Sequence, residues 1–354
     1  MALRTGTYNL TDLEGISNVN VIQFGLDNTL DAITGEYEAH NAVLQLALNE
    51  FVVRTIDPES AWGGGSQGDF QEVGDFGTGA TQKATTPDRI GTPLNKYAFP
   101  VAWTQDYLYE TTPAALAAIA KNVMTRDVVR YRVEMARAMF KPTNYVKMDR
   151  YGTQLAITIK PFVNADGATI PMGPNGQVFD GATHTHYMAS ATLTTTIADA
   201  GIQNLLEHGH GAGVRILVNQ ANVAAWTVLT GWTTILPATI IAPNNVQIGQ
   251  GALDIGRVSD RLEGYYRGYP VYSRTYVPAG YFFVHAVGDN RKSMRLRVPR
   301  QTQLQGLRLE SSEKVHPIYV QHHENRYGFS ANERTNGVAV FTAGGAYVEP
   351  IINL

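Results

Sequence analysis

Hydrophobic and polar positions change their spacing several times along this chain, and the order of the changes is informative. Residues 1–36 are rich in Asn, Thr, Gly and Asp and show weak periodicity, which predicts an extended arm. In "GEYEAHNAVLQLALNEFVV" the residues Tyr37, Val43, Leu44, Leu46, Ala47, Leu48, Phe51 and Val52 recur at i+3 and i+4 spacings, predicting a helix that ends near Val53. From 61 to 107 the period is lost. Seven of the eighteen residues from Gly63 to Ala80 are glycine, a composition that cannot pack a core by itself. "KYAFPVAW" then reads as a strand bounded by turn residues. The segment is expected to be a long two-stranded excursion with a flexible tip; the plainer alternative is a linker between domains.

The strongest periodic signal follows. Thr112 is a good N-cap and Pro113 suits the first helical position. From there to Phe140 no further Gly or Pro interrupts the run, and Pro142 ends it. Leu116, Ile119, Ala120, Val123, Val128, Tyr131, Met135 and Met139 form the apolar stripe, with Lys121, Arg126, Arg130, Arg132 and Arg137 mostly away from it. At about 1.5 Å per residue the helix would be roughly 40 Å long, more than twice the ordinary globular length. Residues 143–192 read as strands and turns, with Asp166-Gly167, Asn175-Gly176 and Asp180-Gly181 as turn signals. From Leu193 the pattern is mixed: a helix in "TTTIADAGIQNLLEHG", a buried strand in "GVRILVN", a short helix in "QANVAAWTVL", then strands in "ILPATII" and "YPVYSRTYVPAGYFFVHAV". The tail from Lys314 to Ile351 alternates like β structure, and Asn336-Gly337 predicts a tight hairpin between two strands.

Composition sharpens this picture. Apolar residues make up 44% of the 354 positions and charged residues 17%, against about 25% charged in an ordinary soluble domain. Much of the surface is therefore expected to face something other than water. A net charge of −3 argues against general nucleic-acid binding but leaves room for a local basic patch. Cysteine is absent, which excludes disulfides, thiolate nucleophiles and Cys-type zinc sites. No apolar run reaches the roughly 18 residues that span a bilayer, and the first residues lack the apolar segment of a secretion signal.

Candidate chemistry is sparse. His184 with His186, His208 with His210, and His322 with His323 invite a metal, but each pair alone is short of the three or four convergent ligands a site needs. His208 and His210 fall at a helix end capped by glycine. His322 and His323 are adjacent on a strand and point to opposite faces. Structural or surface roles and no metal are expected for all of them. No nucleophile elbow, zincin motif or Walker loop is present, and "GGGSQG" and "GTGATQ" lack the strand–loop–helix context of a phosphate cradle. Neither catalytic residues nor a cofactor are expected. "RKSMRLRVPR" carries Arg291, Lys292, Arg295, Arg297 and Arg300 with no acid among them. It is a candidate DNA-facing or inter-subunit basic strip.

An arm, a glycine-rich excursion, one very long helix, an α/β region and a returning β segment succeed one another in an order that resembles the major capsid proteins of tailed double-stranded DNA phages, with the Hong Kong 97-type fold. "LEGYYRGYPVYSRTYVPAGYFFVHAV" (262–287) is similar to that family's apical-domain pattern, and "HHENRYGFSANERTNGVAVFTAGGAYV" (322–348) to its C-terminal strand, hairpin and last strand. The resemblance covers most of the chain from about residue 40. It implies an α+β fold with an N-terminal arm and first helix (1–56), an extended E-loop (57–110), a peripheral domain with the spine helix (111–192), an α/β apical domain (193–290) and a return to the peripheral domain (291–354). It further implies a structural, non-enzymatic protein that assembles in the host cytoplasm into an icosahedral virion shell. Its partners would be copies of itself in pentamers and hexamers, packaged DNA held without sequence preference, and a scaffolding protein, portal and decoration protein, with no membrane. The start of the chain close to the arm implies a separate scaffold or a matured form. Trp62, Phe70 and Phe76 of the excursion are then the expected subunit-contact residues, and Glu324 and Arg326 sheet-face or interface ions. The alternative with the same fold is an encapsulin-like nanocompartment, a family with shorter E-loops and shorter chains; a His-dependent metalloenzyme is the alternative from another class.

Overall fold

A computed structural model describes residues 8–64, 71–81, 85–235, 261–288 and 291–352. In chain order the helices and strands are α1 (Leu10–Glu14), α2 (Val21–Phe24), α3 (Leu26–Leu48), β1 (Val52–Thr55), β2 (Glu59–Trp62), β3 (Asp88–Gly91), β4 (Asn95–Thr104), α4 (Gln105–Glu110), α5 (Pro113–Phe140), β5 (Tyr145–Met148), β6 (Ala156–Ile159), β7 (Tyr187–Ala189), α6 (Thr195–Leu206), β8 (Val214–Val218), α7 (Val223–Thr227), β9 (Trp232–Thr234), β10 (Arg261–Tyr266), β11 (Tyr269–Ser273), β12 (Tyr281–Ala286), β13 (Met294–Arg297), β14 (Arg308–Val315), β15 (Ile318–Ala331) and β16 (Val338–Phe341). Most of the expected strand "ILPATII" lies outside the described residues.

Among the described residues two large sheets dominate. One has β15 at its centre: β4 and β14 run antiparallel to its first part, β13 antiparallel to its end, and β1 parallel to β13. The other runs in the order β7-β16-β12-β8-β11-β10-β9. Helix α5 joins them. Its second half, Tyr131 to Phe140, lies in one core with Tyr327 and Phe329 of the first sheet and Leu217, Tyr281 and Phe283 of the second. Tyr131 stacks on Tyr327 with ring centroids 3.7 Å apart. The first half of α5 buries Ala117, Ala120 and Val123 against Leu10, Leu13, Phe24, Ile33 and Tyr37 of the N-terminal helices. On the second sheet, α6 lays Ala198, Ile202 and Leu205 over Ile216, Val218, Phe282, Val284 and Val340. The long helix begins at Pro113 with Thr112 as N-cap and ends at Phe140, as its pattern predicts.

Three expectations need correction. The N-terminal segment is helical from Leu10 onward and is not an extended arm. Asn9 with Asp12 and Asn20 with Gln23 form capping boxes, so the polarity of this stretch reflects helix starts. Helices of four or five residues are too short to show a period. The next helix also starts earlier and stops sooner than predicted, at Leu26 and Leu48, because Val52 leaves it to pair with Met294 in the first sheet.

The third correction concerns Asn336-Gly337, which is not a hairpin turn. β16 pairs with β12 and β7 in the second sheet, while β15 belongs to the first, so the segment crosses between sheets. Asn336 is buried and clamps backbone: its Oδ1 accepts from Ala286 N at 2.8 Å, and its Nδ2 donates to Ala286 O at 3.0 Å and Arg291 O at 2.7 Å. Gly337 is required by a close approach, since a Cβ there would run into the Phe162 ring. Gly337→Ala should cost about 1–3 kcal/mol through overpacking, read as a lower urea midpoint with an unchanged slope.

Candidate functional site

The excursion leaves the body on a rigid base. β2 and β3 pair antiparallel from Glu59↔Gly91 to Trp62↔Asp88. Trp62 is buried at 5% exposure with Ile90, Val163 and Ile170, so it is not available to a neighbouring subunit. Its Nε1–H donates to Glu333 Oε1 at 2.6 Å, and the Arg334 guanidinium lies 4.9 Å from its ring centroid. Arg334 is itself fully buried. It donates to Pro161 O at 2.7 Å, Asn164 Oδ1 at 2.8 Å and Asp166 Oδ2 at 3.1 Å. Burial alone would raise the Asp166 carboxyl, but Asn144, Arg334 and Lys160 outweigh it and hold it below the ordinary carboxylate value. Lys160 also pairs with Asp88 on β3. The hairpin base is thus anchored by ions that the sequence scatters over more than 200 positions, which is why Trp62 reads as a free loop aromatic in the sequence.

Gly63 and Gly64 follow at once, both with positive φ, 68° and 80°. That left-handed backbone is open to glycine at little cost, and it lets the chain turn away from the hairpin. Every residue of 71–81 is exposed. A turn closes there by Gly77 N donating to Gly74 O at 2.8 Å and Ala80 N to Gln71 Oε1 at 2.8 Å. Phe76 is fully exposed on this turn, with Val73 half exposed beside it. Phe70 lies outside the described residues. β4, expected within the excursion, instead pairs along its whole length with β15 in the first sheet.

The basic strip does not form one patch. Arg297 is buried and pairs with the fully buried Asp149 at 3.0 Å, donating also to Thr92 O at 2.8 Å. Its expected role toward DNA or a neighbour is corrected to an internal ion pair. Arg295 is half-buried and donates from Nε and Nη2 to Asn332 Oδ1 at 3.2 and 2.9 Å; Lys292 donates to Val287 O at 2.7 Å. Arg291 and Arg300 are exposed at the two ends of the strip. Strand alternation correctly puts Arg295 and Arg297 on one face, but it cannot tell which face is covered.

Glu324 and Arg326 lie in the first sheet. Glu324 is buried and shared by Lys96 of β4, Arg308 of β14 at 3.2 Å and Arg326 at 3.4 Å. Burial would raise its carboxyl, yet Lys96 and Arg326 hold it low. Beneath, Asp127 of α5 accepts from Asn325 Nδ2 at 3.0 Å and lies 3.2 Å from His40 Nε2. These bonds tie the long helix to both β15 and α3.

The histidines are distributed differently from the pairwise expectation. His322 and His323 do fall on opposite faces of β15, His323 buried with its Nδ1 3.1 Å from the Tyr37 hydroxyl. But His208, at the end of α6, meets His184 and His186 in the loop before β7. Sequence spacing carries no trace of this meeting.

No protein-family model matches the sequence, and no curated protein does. A solved structure from Mycobacterium phage Patience matches with a TM-score of 0.66 at 21% identity, covering 99% of this chain and 96% of that one. The capsid of a native GTA particle matches at 0.48 and 15% identity, covering 85% and 91% of the two chains. The holo-SrpI encapsulin of Synechococcus elongatus PCC 7942 matches at 0.45 and 9%, covering 86% and 88%. The last two likenesses are too slight to argue from. The first extends over both sheets, the joining helix and the excursion, and the chain accordingly has the α+β Hong Kong 97-type capsid fold.

Proposed function

We propose that this chain is a structural subunit, not an enzyme, of an icosahedral shell that encloses phage double-stranded DNA. The carrying observation is the excursion: an exposed turn with Phe76 at its surface, held clear of both cores on an ion-anchored hairpin. A lone subunit gains nothing from such a feature. A neighbour that covered Phe76 would gain about 1.5–3 kcal/mol per copy, multiplied around a closed shell. In this reading 57–110 is the E-loop, with β2 and β3 as its anchored base and 71–81 as its exposed part. Residues 111–192 and 291–354 form the peripheral domain around α5, 193–290 the apical domain, and 1–56 the arm with its helices. Pentamers and hexamers of the chain, assembled in the host cytoplasm, are its principal contacts; scaffold, portal and decoration proteins would join them, and DNA would be held by enclosure. No helix among the described residues is long and apolar enough to cross a membrane.

Negative-stain microscopy of the expressed full chain should show closed shells, and nuclease-protected DNA should be recoverable from native particles. Particles holding protein cargo and no DNA would make the chain a nanocompartment shell. Monomers under all assembly conditions would overturn both readings. Deleting 71–81 should leave a soluble, folded subunit that forms no stable closed shell. Hydrogen exchange gives the finer test: amides of 71–81 should be unprotected in the subunit and protected in the particle, and equal protection in both would remove the excursion from assembly.

A further inference from the structure

We propose that His184, His186 and His208 form a three-imidazole site for one divalent transition-metal ion of the zinc type. This inference goes beyond the shell reading and does not depend on it. The three imidazoles make a nearly regular triangle, with ring centroids 5.3, 5.0 and 5.0 Å apart. One ligand nitrogen from each lies within 4.8 Å of the other two. Glu207 Oε1 is 3.7 Å from His184 Nε2. Three convergent imidazole nitrogens are a donor set suited to a tetrahedral zinc ion whose fourth position is taken by water.

The second observation is the state of His186. It is fully buried, and its Nδ1 is 2.9 Å from Gly337 O. A carbonyl only accepts, so Nδ1 carries the proton and Nε2 presents a lone pair. That Nε2 is buried and has no hydrogen-bond partner among the described residues. A ligating histidine is commonly held this way, its far nitrogen fixed on a backbone carbonyl. His184 and His208 bring their Nε2 atoms to 2.9 Å from each other. Without an ion, one must carry a proton and donate to the other. With an ion, both lone pairs turn to it. Zinc–nitrogen bonds of about 2.0–2.1 Å in a tetrahedron separate ligand atoms by roughly 3.3 Å, so this contact must open slightly. His184 is the least buried of the three and can supply that movement.

The surroundings suit a largely buried three-histidine site. Phe179 packs its ring 4.1 Å from His208 and 4.9 Å from His184. Burial holds all three imidazoles below the ordinary histidine value, and so in the neutral form that ligates. Filled, the site would fasten the segment before β7 more firmly to the end of α6, which the ring contacts of His208 with His184 and His186 and the bond from Asn204 Nδ2 to Thr185 O at 3.1 Å already join.

The test uses the full-length chain, stripped with a chelator and then given zinc ion alone. One zinc per chain should be retained through gel filtration, and Tm should rise by several degrees and fall back on chelation. Cobalt(II) in its place should show the strong visible absorption of tetrahedral coordination. His184→Gln should fold with the metal-free Tm of the parent, weaken zinc binding by at least about tenfold and lose the zinc-induced rise. His322→Gln, far off on β15, should leave binding unchanged. Retention of no stoichiometric zinc by the parent chain, or equal binding by the parent and His184→Gln, would overturn the site.

Discussion

Val128→Pro should abolish shell formation and lower the stability of the isolated subunit by about 3 kcal/mol or more. Val128 stands in the middle of the 28-residue α5. Proline there has no N–H for the helix bond to the carbonyl four residues back, and its ring collides with that turn. The damage falls beside Asp127, whose carboxylate binds Asn325 and His40, and one turn before Tyr131, which stacks on Tyr327. A kink at 128 would swing the first half of α5, with the N-terminal helices on it, away from the half that lies between the two sheets. The subunit could survive as two loosened halves; a shell that needs their fixed relation could not. Val128→Ala is the control. The side chain is only half-buried and alanine favours helix, so that variant should stay within about 0.5 kcal/mol of the parent. Urea denaturation measures the difference and microscopy the shells. A Val128→Pro chain with parental midpoint and closed particles would mean that α5 does not act as one rigid beam.

Local signals were legible in the sequence where they were also sufficient. Pro113 and Pro142 bound α5, although Thr112 makes no side-chain capping bond, and Leu116, Ala120, Val123, Tyr131, Met135 and Met139 of its stripe are buried as expected. The runs "GVRILVN" and "YFFVHAV" became β8 and β12, neighbours at the centre of the second sheet. What was not legible depends on partners distant in sequence. Asn336-Gly337 carries a strong hairpin signal, yet the signal cannot say which sheet the next strand joins, and the clamp on Ala286 and the Phe162 ring decided it. Arg297 looks like its neighbours in a basic run until Asp149 closes over it. Trp62 beside three glycines gives no hint of Glu333 and Arg334. The histidine triangle joins residues 24 positions apart through the return of α6, and spacing analysis sees only pairs. In each case the deciding partner lies far off in sequence, where local pattern does not reach.

Removing one partner of the Arg297–Asp149 pair should cost more than any other single polar substitution considered. Both side chains are buried, at 4% and 0% exposure, and Asp149 has a dense set of donors. Its Oδ2 takes Arg297 Nη1 at 3.0 Å, Thr153 N at 2.7 Å and Thr153 Oγ1 at 3.0 Å; its Oδ1 takes Leu94 N at 3.2 Å. Asp149→Ala would leave the guanidinium in the interior without its counter-charge, at a cost of about 3–5 kcal/mol. Asp149→Leu combined with Arg297→Met should recover much of that loss, because replacing a whole buried pair by apolar groups of similar volume is often neutral. The pH dependence carries a sign of its own. Burial alone would raise the Asp149 carboxyl, but the Thr153 N–H and Arg297 outweigh it and depress its pKa. A depressed carboxylate contributes stability above its unfolded value, and that contribution is lost as the pH falls through the folded one. The parent should therefore lose stability below about pH 4, and Asp149→Ala should show a shallower acid limb from a lower starting point. Mechanically, the Asp149 backbone closes the β5–β6 hairpin through Leu155 O and Gln154 N, and β6 lies against β3 at the foot of the excursion, where a Cβ on Gly91 would run into Thr158 O. Loosening this pair frees the foot of the excursion as well as the core. Asp149→Ala shells, if any form, should break at lower urea than the subunit's own loss of stability predicts. Parallel losses in shell and subunit would confine the pair to the core and leave the excursion's foot to Arg334 and Lys160.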